Sequence, residues 1–132
     1  MSYNDRVIDE FRANGGVVAD FGSDLVLLHT VGARSGEARV NPVLVIVDGE
    51  SWLVIASAAG QPQHPAWYFN LIAAPLVSVE TPGETVEVLA TSLEGAEWDA
   101  AWQAFRDRSP AFAEYRTRSE GREFPIVRLT RR

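Results

Sequence analysis

The chain has 132 residues, 46% of them hydrophobic, which is enough for one domain with a real core and too few for two. Its 12 basic and 18 acidic residues leave a net charge of -6, a field that repels phosphodiesters and argues against a nucleic-acid module or a polybasic membrane-surface protein. With no cysteine, disulfide frameworks, thiolate nucleophiles and cysteinyl metal sites are all excluded.

Tyr3, Val7, Ile8 and Phe11 recur at helical spacing, with Asn4 or Asp5 placed to cap the helix and Asn14-Gly15-Gly16 to stop it. Leu25 to Leu28 is an apolar strand ending by Gly32, Ala38 to Val47 is a second, and Ser51 to Ser57 a third. Asp48-Gly49 marks a hairpin turn between the last two. Pro65 can open a helix whose Trp67, Tyr68, Leu71 and Ile72 share a face, and Pro75 ends it. Leu76 to Thr81 and Thr85 to Leu93 alternate about Pro82-Gly83 as a second hairpin. A helix from Ala96 to Arg108 carries Trp98, Ala101, Trp102 and Phe105 inward. Pro110 begins a further turn or two through Tyr115, and Phe124 to Leu129 returns as the last strand.

Six strands joined mostly by hairpins, with helices inserted between them, predict a single α+β domain over 1–132 that is mainly β. Its expected form is a small antiparallel barrel with peripheral helices. The longest apolar run, Val43 to Val47, falls far short of the roughly 18 to 20 residues of a membrane-spanning helix, and Ser2, Asn4, Asp5 and Arg6 replace a signal-peptide core. A cytoplasmic protein without an integral membrane segment is the expectation.

Three segments carry potential chemistry. Gly32-Ala33-Arg34-Ser35-Gly36 with Glu37 and Arg39 joins two strands. Its glycine-exposed N–H groups and two guanidinium groups suit a phosphate or carboxylate, although an ordinary hairpin loop with solvated arginines would read the same way. Ala56-Ser57-Ala58-Ala59-Gly60 leaves a strand through small residues and leads by His64, Pro65 and Ala66 into Trp67-Tyr68. There a flat ring could approach the backbone and meet helix N–H groups; alternatively the aromatics plug the barrel end and His64 caps the helix. Phe112 and Tyr115 share a helical face, as core or as the wall of a site. His29 and His64 are the only imidazoles, and nothing in their spacing supports a metal site.

Taken in order, Val7 to Gly16, Leu27 to Gly36 with Arg39-Val40-Asn41-Pro42, Ala56-Ser57 through His64-Pro65-Ala66-Trp67-Tyr68 to Leu71, Pro110 to Tyr115 and Phe124 to Val127 resemble the deazaflavin-dependent nitroreductases, whose members use coenzyme F420. The resemblance implies a split β-barrel of the FMN-binding, pyridoxamine-phosphate-oxidase type. It also implies hydride transfer from reduced F420 to a small electrophilic acceptor: a quinone, a nitroaromatic or an activated alkene. It assigns Arg34, Ser35, Gly36 and Arg39 to the cofactor phosphate, with Asn41 and Pro42 beside the cofactor. Ser57, Ala58, Gly60, Pro65, Ala66, Trp67 and Asn70 would meet the ring and its ribityl chain. Phe112 and Tyr115 would face the acceptor, with Tyr115 or Ser57 as the proton-donating hydroxyl. Ala58 stands where many relatives have lysine, and Ser109 where some have tyrosine. A non-catalytic F420 carrier, and an FMN- or haem-binding barrel, are the alternatives. Pairing of two copies and peripheral association with a membrane stay open.

Overall fold

The computed structural model describes residues 2–19, 21–119 and 122–132. Six antiparallel strands form it: β1 (Leu25–Val31), β2 (Ala38–Asp48), β3 (Ser51–Ile55), β4 (Leu76–Thr81), β5 (Glu84–Ser92) and β6 (Ile126–Arg131). They close into a barrel in the order β1-β2-β3-β6-β5-β4. Both expected hairpins form. Asp48 pairs with Ser51 across Gly49-Glu50, one residue later than the sequence suggested, and Thr81 pairs with Glu84 across Pro82-Gly83.

Alternation decides which layer each strand residue enters. Val26 and Leu28 of β1, Trp52 and Val54 of β3, and Val127 and Leu129 of β6 point into the barrel with Val79, Val86 and Val88. Their outward neighbours Leu25 and Leu27 take Val7, Ile8 and Phe11 of α1 (Tyr3–Ala13). Leu53, Ile55 and Ile126 take Trp102 and Phe105 of α3 (Gly95–Arg108) and Phe112 of α4 (Ala111–Arg118). Strands covered on both faces are therefore apolar without a break, which is why Leu25 to Leu28 reads as a continuous hydrophobic run. Each side chain buried to the degree of Phe11 or Phe105 contributes about 1.5–3 kcal/mol by removal of its surface from water.

The structure corrects several boundaries. Ser2, rather than Asn4 or Asp5, caps α1: its Oγ accepts from Asp5 N–H at 3.1 Å, while the Asp5 carboxylate accepts from Ser2 N–H. In α2 (Ala66–Ala73) Leu71 is buried but Ile72 is 56% exposed, because a helix lying on the barrel mouth buries a narrower stripe than four residues. β3 stops at Ile55 and a 3-10 turn, Ala58–Gly60, follows it. α4 runs on to Arg118, and β6 begins at Ile126, although Phe124 is buried ahead of it.

An ionic clamp fastens α1 to the barrel. Arg12 donates through Nε and Nη2 to the two Glu80 oxygens at 3.0 and 2.9 Å, and His29 Nε2 lies 3.1 Å from Glu80 Oε1. The bond from Arg12, with a smaller contribution from His29, holds the Glu80 carboxyl below its ordinary range. Among the described residues no cluster of histidine and carboxylate side chains could hold a metal, and no helix is long and apolar enough to cross a membrane.

Candidate active site

The site is the gap that opens where two neighbouring strands part. β2 pairs with β1 from Ala38 to Leu44 and with β3 only from Val45 onward, where it faces Val54. Val45 N–H donates to Asp24 O at 2.8 Å, so alternate residues Val43 and Asn41 are those that bond β1. Pro42, which has no N–H to give, falls between them and turns its nitrogen to the side that β3 does not reach. The divergence leaves a cleft of about 800 Å³ lined by Pro42 and Leu44 on one strand, Ile55 at the end of the other with Ser57 to Ala59 after it, and Trp67 from α2. α4 supplies Phe112 and Tyr115.

The wall after β3 is a strained one. Ala58 and Ala59 hold φ of 50° and 52°, a left-handed conformation that residues with a Cβ adopt at a cost of about 1–2 kcal/mol each. A dense clasp maintains it. Arg122 donates to the carbonyls of Ser57 at 2.8 Å, of Ala56 at 3.2 Å and of Gln61 at 3.1 Å, and also contacts His64 Nδ1. Its guanidinium lies 4.7 Å from the Phe124 ring centre. Burial, and secondarily the nearby Arg122 charge, push the His64 pKa below 6.5, so the imidazole is a neutral acceptor for that guanidinium. His64 is thus not the helix cap entertained from the sequence: Pro65 holds the N-cap position of α2, with no side-chain bond. Gly60 lets the same turn press on α4, since a Cβ there would come within 2.9 Å of both Tyr115 Cα and its carbonyl oxygen. The Tyr115 ring stands edge-on to Phe112 at 5.8 Å.

A second cavity of about 790 Å³ is lined in part by residues next in the chain to those of the first: Asn41 and Ala66 line it, while Pro42 and Trp67 line the apolar cleft. Arg34, Ser35, Arg39 and Asn70 complete its polar lining, with Phe69 as its large apolar residue. The loop is shaped by its backbone. Gly32 N–H donates to Glu37 O at 2.8 Å, Gly36 N–H returns to Gly32 O at 2.9 Å, and a Cβ on Gly32 would meet Ser35 Oγ at 2.5 Å. Asn70 fastens this loop to α2: its Oδ1 accepts from Ala33 N–H at 2.9 Å, and its Nδ2 donates to Thr30 Oγ1 at 3.3 Å. Arg39 leans on Glu37 at 3.3 Å, with 53% and 70% of the two side chains exposed, a pair weak enough to exchange for a ligand anion.

Most residues singled out in the sequence line one or other of these two cavities, and Gly36, Gly60 and Pro65 line neither. Those three sit in the adjoining turns, and Asn70 braces the loop in addition to lining the polar cavity. Sequence reading passed over Arg122, because its acceptors are backbone carbonyls that no motif displays. It also passed over Asp24 and Arg108, which line the apolar cleft from segments far apart in the chain.

Known proteins resemble this chain over most of its length. The profile of the F420H(2)-dependent quinone reductase family matches residues 5–131. An F420H(2)-dependent quinone reductase of Mycobacterium tuberculosis H37Rv is 34% identical over 110 residues, covering 81% of this chain and 73% of the relative. Among solved structures, an F420-H2 dependent reductase, FDR-A, superposes with a TM-score of 0.72 at 34% identity, covering 80% of this chain and 93% of that one. A protein solved as a domain-swapped dimer gives 0.74 at 31% identity, covering 95% and 97%. A pyridoxamine 5'-phosphate oxidase-like protein of Listeria innocua shares the fold, with a TM-score of 0.57 at 11% identity over 96% and 91% of the two chains.

Proposed function

The chain belongs to the F420H(2)-dependent quinone reductase family, and from that premise we propose that it reduces quinones with F420H2, accepting nitroaromatics or activated alkenes in the same cleft. The observation that carries the reading is the pairing of a polar cavity holding two arginines with an apolar cleft whose lining includes the hydroxyl residues Ser57, Ser109 and Tyr115. An anion-tailed planar cofactor with a second flat molecule beside it needs that combination.

The residues present fit the cofactor. Arg34, which has no carboxylate partner among the described residues, and Arg39 supply cations for a phosphodiester in a chain whose overall field repels it. Ser57, Ala58 and Ala59 offer backbone and small side chains to a flat ring, with Trp67 as a wall and Pro42 opposite. When bound, reduced F420 supplies the hydride, so the chain needs no nucleophile and no metal ligand of its own. The contribution of the protein is orientation and exclusion of water: Phe112, Ile55 and Leu44 make the acceptor side apolar, and the braced turn at Ala58-Ala59 fixes the ring wall. The proton that must follow the hydride is held at Tyr115 Oη or Ser57 Oγ, both on residues lining the cleft.

Purified protein mixed with F420H2 and menadione should restore the absorbance of oxidised deazaflavin at a rate proportional to enzyme. Tight F420 binding with no turnover across quinones, nitroaromatics and enones would overturn the reductase reading in favour of a carrier. Copurification of FMN or haem without affinity for F420 would overturn the cofactor assignment.

A further inference from the structure

Only two charged side chains are found among the described residues lining the apolar cleft, and they form an ion pair with each other. Asp24 precedes β1 and Arg108 is the last residue of α3; Arg108 Nη1 lies 3.0 Å from Asp24 Oδ2. Transfer of a hydride between two neutral rings does not call for either. We infer that Arg108 recognises an anionic substituent, a carboxylate or sulfonate, on the acceptor, and that Asp24 is the resident carboxylate which that substituent displaces. The inference rests on the cleft being the acceptor site.

Three features carry it. Asp24 is anchored by its backbone, its carbonyl accepting from Val45 N–H at 2.8 Å and its N–H donating to Phe21 O at 3.2 Å, so the carboxylate is held at the rim rather than drawn to the arginine by chance. The pair is readily exchanged: the side chains are 41% and 44% exposed, and the contact uses one nitrogen of a guanidinium that carries five N–H donors. A ligand carboxylate or sulfonate can engage more of those donors than Asp24 does. Finally, a chain of net charge -6 disfavours every anion that approaches it, which makes a cation within the cleft a discriminating element instead of one among many. The location at the last turn of α3, where the helix dipole favours positive charge, keeps Arg108 in place once Asp24 is released.

The test compares naphthoquinone sulfonate with unsubstituted naphthoquinone, by calorimetric binding to the protein and by kcat/KM with F420H2. The sulfonate is a usable probe because the chain has neither cysteine nor lysine side chains for it to alkylate. Arg108→Gln should weaken the sulfonate about five- to tenfold and leave the neutral quinone within about twofold. Asp24→Asn should act in the opposite direction, tightening the sulfonate by a similar factor, and both effects should shrink as salt is raised. A merely structural pair would make the two variants lose affinity together and for both quinones, and that result overturns the assignment while leaving the acceptor site intact. If the wild-type protein neither binds nor reduces either quinone, the acceptor reading of the cleft and this assignment fall together.

Discussion

Asn70 of α2 fastens the arginine-bearing loop, and replacing it with alanine tests whether loop geometry governs cofactor affinity. Its amide is buried and makes two bonds, accepting from Ala33 N–H and donating to Thr30 Oγ1. Ala33 is exposed, so water can replace the first bond at a loss of about 1 kcal/mol. Thr30 is buried, and losing its partner together with the volume of the amide adds about 1–2 kcal/mol. Asn70→Ala should therefore lower unfolding stability by about 2–3 kcal/mol in urea titrations. F420 affinity should fall about tenfold, equivalent to about 1.4 kcal/mol, because the arginine-bearing loop is no longer fixed before binding. Asn70→Asp separates the two effects: it keeps an acceptor for Ala33 N–H but places a carboxylate in the cavity that Arg34 and Arg39 line, so affinity should fall more than stability does. An alanine variant that loses the expected stability while its F420 dissociation constant stays unchanged would refute the link between this brace and the cofactor.

Arg34→Ala should weaken F420 binding by about 1.5–3 kcal/mol, measured by titration. Arg39→Ala should cost less because Glu37 already competes for that guanidinium, Glu37→Gln should tighten binding, and each effect should diminish at high salt. Tyr115→Phe should reduce turnover more than cofactor affinity in steady-state and binding assays; equal activity in the two proteins would leave solvent as the proton source. Acid should destabilise the fold in two windows. The His64 pKa in the folded protein lies below 6.5, so the unfolded chain takes up the proton first and stability falls as pH drops from 6.5 towards the folded value. The Glu80 carboxyl is likewise depressed, so its contribution is present above 4.5 and lost as pH falls through its folded value. Urea midpoints followed against pH should lose the upper window in His64→Gln and the lower one in Glu80→Gln.

Much of the architecture was legible along the chain because it depends on short-range periodicity. The alternation of Leu76 to Thr81 and Thr85 to Leu93 about Pro82-Gly83 specifies a hairpin, and the spacing of Val7, Ile8 and Phe11 specifies one buried helical face. The loop from Gly32 to Arg39 and the small-residue exit after Ile55 announced themselves through glycines and arginines, and the spaced motifs placed the chain in its family. Tertiary structure alone decided how those segments become a site. Where β2 leaves β3 is a matter of register between residues distant in sequence, and that divergence is what opens the cleft. Arg122 reaches backbone carbonyls, which every residue possesses and no pattern marks, and Asp24 meets Arg108 only because α3 packs over the outer face of β3. Local sequence fixes what each segment can form; long-range packing chooses which polar groups end up facing one another, since that choice depends on the summed burial of the whole barrel.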